Sequence, residues 1–239
     1  MEVSGGQIAV HLDDPSGVGE ARQRAAGLAA RLTLDEIAAG ELAIAVTEAA
    51  GNIVKHAGRG TLLLRAIRLA KVAGIEVLAI DKGPGMASVA ECMRDGYSTA
   101  GSPGTGLGAL QRMTRNLDIW SAPGMGTLLR FEVWPRRPGG DTPGDTLCLG
   151  VVCVPKPGEA ESGDGWTLLR DGRRFSLLVV DGLGHGPAAA TAAHAAVAAA
   201  RRDAARDPVD ILEAVHAALR PTRGAAAAVM LVEPEKELC

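Results

Sequence analysis

Glu48 and Asn52 stand four residues apart in Thr47-Glu48-Ala49-Ala50-Gly51-Asn52-Ile53-Val54-Lys55-His56. On a helix that spacing puts both on one face, one turn apart, with Lys55 and His56 close below. A carboxylate so placed suits a general base, and an amide oxygen suits a hard cation such as Mg2+. A solvated polar face is the plain alternative. Asp81-Lys82-Gly83-Pro84-Gly85-Met86 follows the apolar run 75–80. An Asp at a strand end can accept a hydrogen bond from an exocyclic amine, and Gly83 and Gly85 let the backbone approach a flat ring. An ordinary Asp-x-Gly-x-Gly turn remains equally open. Gly101-Ser102-Pro103-Gly104-Thr105-Gly106-Leu107-Gly108 leads into a helical pattern, and backbone amides at a helix start bind phosphate. In the second half, Asp164 and Asp181 stand at the ends of neighbouring strand-like runs, Asp164 just before one and Asp181 just after the next. Two such carboxylates, with the Gly182 carbonyl, could bridge divalent ions and activate water, or could be ordinary Asp-Gly turns.

These residues need elements to hold them. Ser16 reads as a cap for a helix with Val18, Ala21, Ala25, Leu28 and Leu32 on its inner face. Thr33 and Glu36 form a capping-box pattern opening a second helix, whose apolar face is Leu42, Ala45, Ala49 and Ile53 and which stops near Gly58. Strands are predicted over 62–70 and 75–81, a helix from Leu107, and strands over 118–122 and 127–134. Residues 136–146 (RRPGGDTPGDT) have no apolar period and read as a linker. Beyond it, 147–154 is β-rich, strands are predicted over 166–170, 175–180 and 226–232, and helices over 187–205 and 209–219.

The bulk composition narrows the classes. Of 239 residues, 47% are apolar and 3% aromatic, so a core must be built from Ala, Val, Leu and Ile. The net charge of −3, from 25 basic and 28 acidic residues spread along the chain, shows no basic stripe for nucleic acid. Cys92, Cys148, Cys153 and Cys239 make no CxxC pair or zinc spacing. A signal peptide and a membrane-length apolar run are both lacking, which predicts a cytoplasmic protein without a membrane partner. Gly104, Gly106 and Gly108 match neither a dinucleotide-binding fingerprint nor a P-loop.

Taken together, the order E-x-x-x-N, D-x-G-x-G, G-x-G-x-G and then Gly126-Thr127 resembles the N, G1 and G2 boxes of the histidine-kinase-like (GHKL) ATPases. TEAAGNIVKHA, DKGPGM and DGYSTAGSPGTGLGALQRM are most similar to the RsbT-type switch kinases. The resemblance covers about residues 7–135. It implies a GHKL, or Bergerat, α/β sandwich over 1–135 that uses ATP and Mg2+. Glu48 would activate the acceptor hydroxyl, Asn52 would hold Mg2+ and Asp81 would read adenine. Gly83 and Gly85 would shape the base pocket, Gly104, Thr105, Gly106, Leu107 and Gly108 would cradle the phosphates, and Thr127 would lie near the adenine. The implied substrate is Ser or Thr on a STAS-domain protein in bacterial stress or sigma-factor signalling, and a homodimer is allowed.

The string Asp181-Gly182-Leu183-Gly184-His185-Gly186, with Gly163-Asp164-Gly165-Trp166, resembles the SpoIIE/RsbX branch of metal-dependent phosphatases. That implies Mn2+ or Mg2+ held by Asp164, Asp181 and Gly182 in an incomplete α-β-β-α domain over 147–239, after the linker 136–146. The later metal-binding Asp segments of that family have no counterpart before Cys239, so a truncated or degenerate phosphatase is expected. His185 is open between a phosphate contact and a turn residue. The fold class predicted for the whole chain is α/β. The leading function is a kinase fused to a phosphatase. The alternative is a nucleotide-gated binding module that regulates the phosphatase without kinase turnover.

Overall fold

The helical spacing reappears in the computed structural model, which describes residues 2–3, 7–69, 72–93, 106–135, 149–156, 158–172, 174–202 and 207–233. In chain order the elements are β1 (Glu2–Val3), β2 (Ile8–Leu12), α1 (Ser16–Arg31), α2 (Glu36–Asn52), a π-helical turn (Ile53–Ala57), β3 (Gly60–Leu69) and β4 (Val72–Asp81). They continue as α3 (Val89–Cys92), α4 (Gly106–Met113), β5 (Arg115–Ala122), β6 (Gly126–Val133), β7 (Asp164–Asp171), β8 (Arg174–Gly182), α5 (Pro187–Ala200), α6 (Pro208–Leu219) and β9 (Ala225–Val232). The chain divides into one unit of residues 8–66 and 71–140 and a second of 1–7, 67–70 and 141–239.

In the first unit the strands run β2-β3-β4-β6-β5, with antiparallel pairing of β2 to β3, β4 to β6 and β6 to β5. α1 packs on α2, and α2 packs on β4, β6 and α4. Val77, Ala79, Leu129, Phe131 and Val133 alternate onto the face that meets Leu28, Leu42, Ala45, Val46 and Ala49. Phe131 is the largest fully buried side chain; alanines at the other contacts let α1 and α2 approach closely. On the opposite face of the sheet, Arg65 pairs with Glu76, and Arg130 pairs with Glu76 (2.9 Å), Asp118 (3.2 Å) and Glu132. Trp134 Nε1 and Asn116 Nδ2 both donate to Glu132 Oε2. Arg65, Glu76 and Glu132 are buried. Burial pulls the Arg65 guanidinium below its ordinary pKa against the opposing pull of Glu76. At Arg130 burial works downward too, but the hydrogen bond and charge of Glu76 win and raise it.

Several local expectations are corrected. Ser16 is the first residue of α1, not its cap; its N–H donates to Asp14 Oδ1 at 2.7 Å. The Thr33–Glu36 box does not form, because Thr33 sits at φ 51° and Asp35 caps α2 by accepting from the Ala38 N–H at 2.8 Å. β1 and β2 were not anticipated. α2 with its π turn, 36–57, makes a 22-residue helix that contains an 18-residue window of mean hydropathy 1.4. That is long and apolar enough to cross a membrane, contrary to the sequence reading, but its Ala38, Leu42, Ala45, Val46, Ala49 and Ala50 are packed in the core of this unit.

The second unit holds a three-stranded antiparallel sheet, β7-β8-β9. α5 packs on β7 and β8, and α6 on β9 and α5. Its core is Leu169, Leu178, Val180, Ala193, Ala196, Ala200, Ile211 and Val215. The β-rich composition of 147–154 gives no strand over the described residues 149–154. There the side-chain amide of Gln7 takes the place of a strand partner: Nε2 donates to Val151 O at 3.2 Å, and Cys153 N donates to Oε1 at 2.8 Å. The 136–146 stretch lies outside the described residues, as do the last residues of the 187–205 helix beyond 202.

Candidate functional site

A cavity of about 220 Å3 opens in the first unit. Glu48, Asn52, His56, Asp81, Gly85, Gly106, Leu107 and Thr127 all line it. α2 presents Glu48 and Asn52 one turn apart. Eight residues along a straight α-helix drift by about 80°, which would carry His56 away from Glu48. The wider π turn over Ile53–Ala57, ended by Gly58 N–H donating to Ile53 O at 3.0 Å, takes up part of that drift. His56 therefore reaches the cavity, while Lys55 does not line it.

Asp81 ends β4 directly opposite Thr127 on β6, and Thr127 is in turn opposite Ser121 on β5. Gly83 N–H donates to Asp81 Oδ1 at 2.8 Å and orients the carboxylate. Gly83 itself packs against Ala57 and is not part of the cavity wall. Gly85 adopts φ +69°, and a Cβ there would overlap the Ala122 carbonyl oxygen. Its glycine requirement comes first from this close approach of two backbones. Gly124 N–H donating to Pro84 O at 2.7 Å ties the same loop to the β5–β6 turn. Ser121 is the residue the sequence reading missed. Its Oγ accepts from Met86 N–H at 2.9 Å, donates to Gly126 O at 2.8 Å and lies 3.0 Å from Thr127 Oγ1. The signal was present in the strand period, since Ser121 shares a face with Ile119, which lines the cavity.

α4 begins at Gly106 beside the Glu48 carboxylate: a methyl group added at Gly106 would overlap Glu48 Oε1. A carboxylate at the positive end of a helix is electrostatically favoured, and the same end attracts phosphate. Gly106 and Leu107 line the cavity, and Gly108 is buried within the first turn of α4. Gly104 and Thr105 lie outside the described residues. Ala79, Ile119 and Leu129 supply an apolar wall, with Met86 and Cys92 beside it. Burial, and then the charge of Glu91, push the Cys92 thiol up from its ordinary value. The result is a partly apolar pocket that also presents Asp81 and Thr127 from paired strands, and Glu48 and Asn52 from α2 with the start of α4 beside Glu48. Such a site can hold a flat heterocycle joined to an anionic tail.

In the second unit Asp164 and Asp181 face each other across β7 and β8. Gly182 N–H donates to Gly163 O at 3.0 Å, which draws the two strand ends together. His185 Nδ1 lies 2.6 Å from Glu159 Oε1, a partner for His185 within the protein. Among the described residues no group of three or more His, Cys, Asp or Glu side chains converges for a metal.

Residues 12–133 match the family model described as the histidine kinase-like ATPase domain. The chain is 30% identical over 116 residues to serine/threonine-protein kinase RsbT of Bacillus subtilis (strain 168), covering 48% of this chain and 87% of that protein. It is 36% identical over 125 residues to the anti-sigma F factor of Caldanaerobacter subterraneus subsp. tengcongensis, covering 49% of this chain and 85% of that protein. A chain from a structure of the bacterial stressosome is 40% identical with a TM-score of 0.31; the match spans 32% of this chain and 40% of that one. The mycobacterial sensor histidine kinase MprB is 16% identical with a TM-score of 0.33, over 56% of this chain and 99% of that one.

Proposed function

On the premise that this chain belongs to the histidine kinase-like ATPase domain family through residues 12–133, we propose that its first unit is a Mg-ATP-dependent serine/threonine protein kinase. The observation that carries this is the Glu48 carboxylate at the start of α4, in one cavity with Asn52, Asp81 and Thr127. Asp81 and Thr127 accept from the adenine amine, and Gly85 closes the base pocket beside them, with Gly83 orienting Asp81. The amides of Gly106, Leu107 and Gly108, continuing from Gly104 and Thr105, take the phosphates. Asn52 lines the cavity, and its side-chain amide carries an oxygen of the hard type that Mg2+ prefers. Mg2+ supplies charge neutralisation at the transferring phosphoryl group. Glu48 accepts the proton of the attacking hydroxyl, and His56 lines the same cavity.

A relative named as serine/threonine-protein kinase RsbT and another named as an anti-sigma F factor support a role in sigma-factor or stress signalling. The acceptor in this reading is a Ser or Thr of a STAS-domain protein, in the cytoplasm, with a homodimer as an option. Intact-mass spectrometry of such a partner after incubation with the full chain and Mg-ATP tests it. One added phosphate is expected with wild type, at least roughly a hundredfold slower with Glu48→Ala. Equal rates in the two proteins remove Glu48 from catalysis. The anti-sigma F relative favours a second reading, a nucleotide-gated binding module; there the partner binds in the presence of ATP and no phosphate is transferred.

For the second unit the facing of Asp164 and Asp181 supports a phosphatase-like Mn2+ or Mg2+ site completed by the Gly182 carbonyl. Two carboxylates and one carbonyl supply only part of an octahedral set. Calorimetric titration of Mn2+ into wild type and Asp181→Ala measures whether the pair binds metal.

A further inference from the structure

Hydrogen-bond bookkeeping around Ser121 fixes more than its own position. Ser121 has one O–H to donate and two lone pairs to accept with. Met86 N–H is a donor only, so it occupies one lone pair; Gly126 O is an acceptor only, so it takes the Ser121 proton. The remaining contact, 3.0 Å to Thr127 Oγ1, then has a single polarity: Thr127 O–H donates to the second lone pair of Ser121. With its proton spent, Thr127 turns only lone pairs toward the cavity it lines. Asp81 stands directly opposite on β4, and as a carboxylate it too is an acceptor only. Asp81 and Thr127 thus present two acceptor side chains to the cavity between β4 and β6.

We propose that Ser121 is a positioning residue that locks Thr127 as an acceptor, so that the pocket selects a 6-amino purine and rejects a 6-oxo purine. The proposal rests on the nucleotide-site reading above and deepens it. A 6-amino group offers two N–H donors to Asp81 and Thr127. A 6-oxo group offers a lone pair, and a freely rotating threonine hydroxyl could turn to donate to it. Ser121 removes that escape, because turning the Thr127 proton to the ligand breaks the Ser121–Thr127 bond. The Met86 N–H bond to the same oxygen couples the loop over the base to this choice.

Calorimetric titration of the full chain with Mg-ATP and Mg-ITP is the test, since inosine differs from adenosine at the 6-position without the 2-amino group of guanosine. Wild type should prefer ATP. Ser121→Ala should lower the ATP-to-ITP affinity ratio by roughly two- to tenfold, the worth of one neutral hydrogen bond. Ser121→Thr, which keeps the hydroxyl, should restore the ratio; a general loosening of the pocket would weaken both ligands and leave the ratio alone. Ser121→Cys keeps the side-chain size with a weaker donor and acceptor, and should lower the ratio in the same direction if the alanine variant does not fold. An unchanged ratio in a folded Ala or Cys variant overturns the role of Ser121 while leaving the nucleotide site standing. Binding of neither nucleotide by wild type overturns both.

Discussion

Each side chain in the cavity acts through what its neighbours allow it to do. Glu48 is the clearest case, because Gly106 is the residue that leaves room for its carboxylate at the start of α4. Alanine is the better helix former, by about 1 kcal/mol over glycine in a helix interior. Gly106→Ala should therefore leave thermal stability unchanged or higher while pushing the Glu48 carboxylate aside. Phosphotransfer to a STAS-domain partner should fall at least tenfold; full activity in a folded Gly106→Ala protein would detach the Glu48 position from catalysis. Gly126 shows the opposite case, since at φ +89° an added Cβ would overlap the Asp81 carbonyl oxygen, which is backbone and cannot swing away.

Elements carry their own tests. The α1 start depends on Asp14, whose carboxyl is held below its ordinary value of 3.8 by hydrogen bonds to Ser16, chiefly through the side chain. A carboxyl depressed in the folded state stabilises fully above its unfolded pKa, and the contribution is lost as pH falls through the lower folded value. The stability gap between wild type and Asp14→Ala should stay constant from pH 5 to neutrality and close in acid below about 3.8, as read by chemical denaturation. The central strands carry a heavier dependence. Glu76 is buried between Arg65 and Arg130 and directly opposite Glu132. Removing one partner of a buried charge cluster costs about 3–5 kcal/mol, so Glu76→Ala should lower the urea midpoint sharply. A loss below about 1 kcal/mol would mean the cluster is solvated in solution.

At the scale of the whole molecule, the two units have separate cores, and among the described residues the cavity around Glu48 and Asp81 is lined by the first unit. Asp181 stands on β8 of the second. Asp181→Ala should leave the ATP affinity of the full chain within twofold of wild type by calorimetry; a larger change would show that the second unit regulates the first.

What the sequence determined by itself was local: residue type, spacing and period. E-x-x-x-N put Glu48 and Asn52 on one helical face, apolar runs located β4 and β6, and glycine spacing marked the start of α4. These patterns span a few residues, within which backbone geometry follows from the chain alone. The histidine kinase-like resemblance was legible for the same reason, since its boxes are short strings in a set order. The tertiary structure decided everything that depends on which residues meet across the chain. Asp81, Thr127 and Ser121 form a row only because β4, β6 and β5 pair in that register. The Arg65–Glu76–Arg130–Glu132 cluster joins three strands, and Gln7 holds 151–153 from the far end of the sequence. Even the caps were settled this way in part: Ser16 and Thr33 have the right chemistry, but the helices start where their faces meet the sheet, and Asp14 and Asp35 are the carboxylates left in reach of the first free N–H groups.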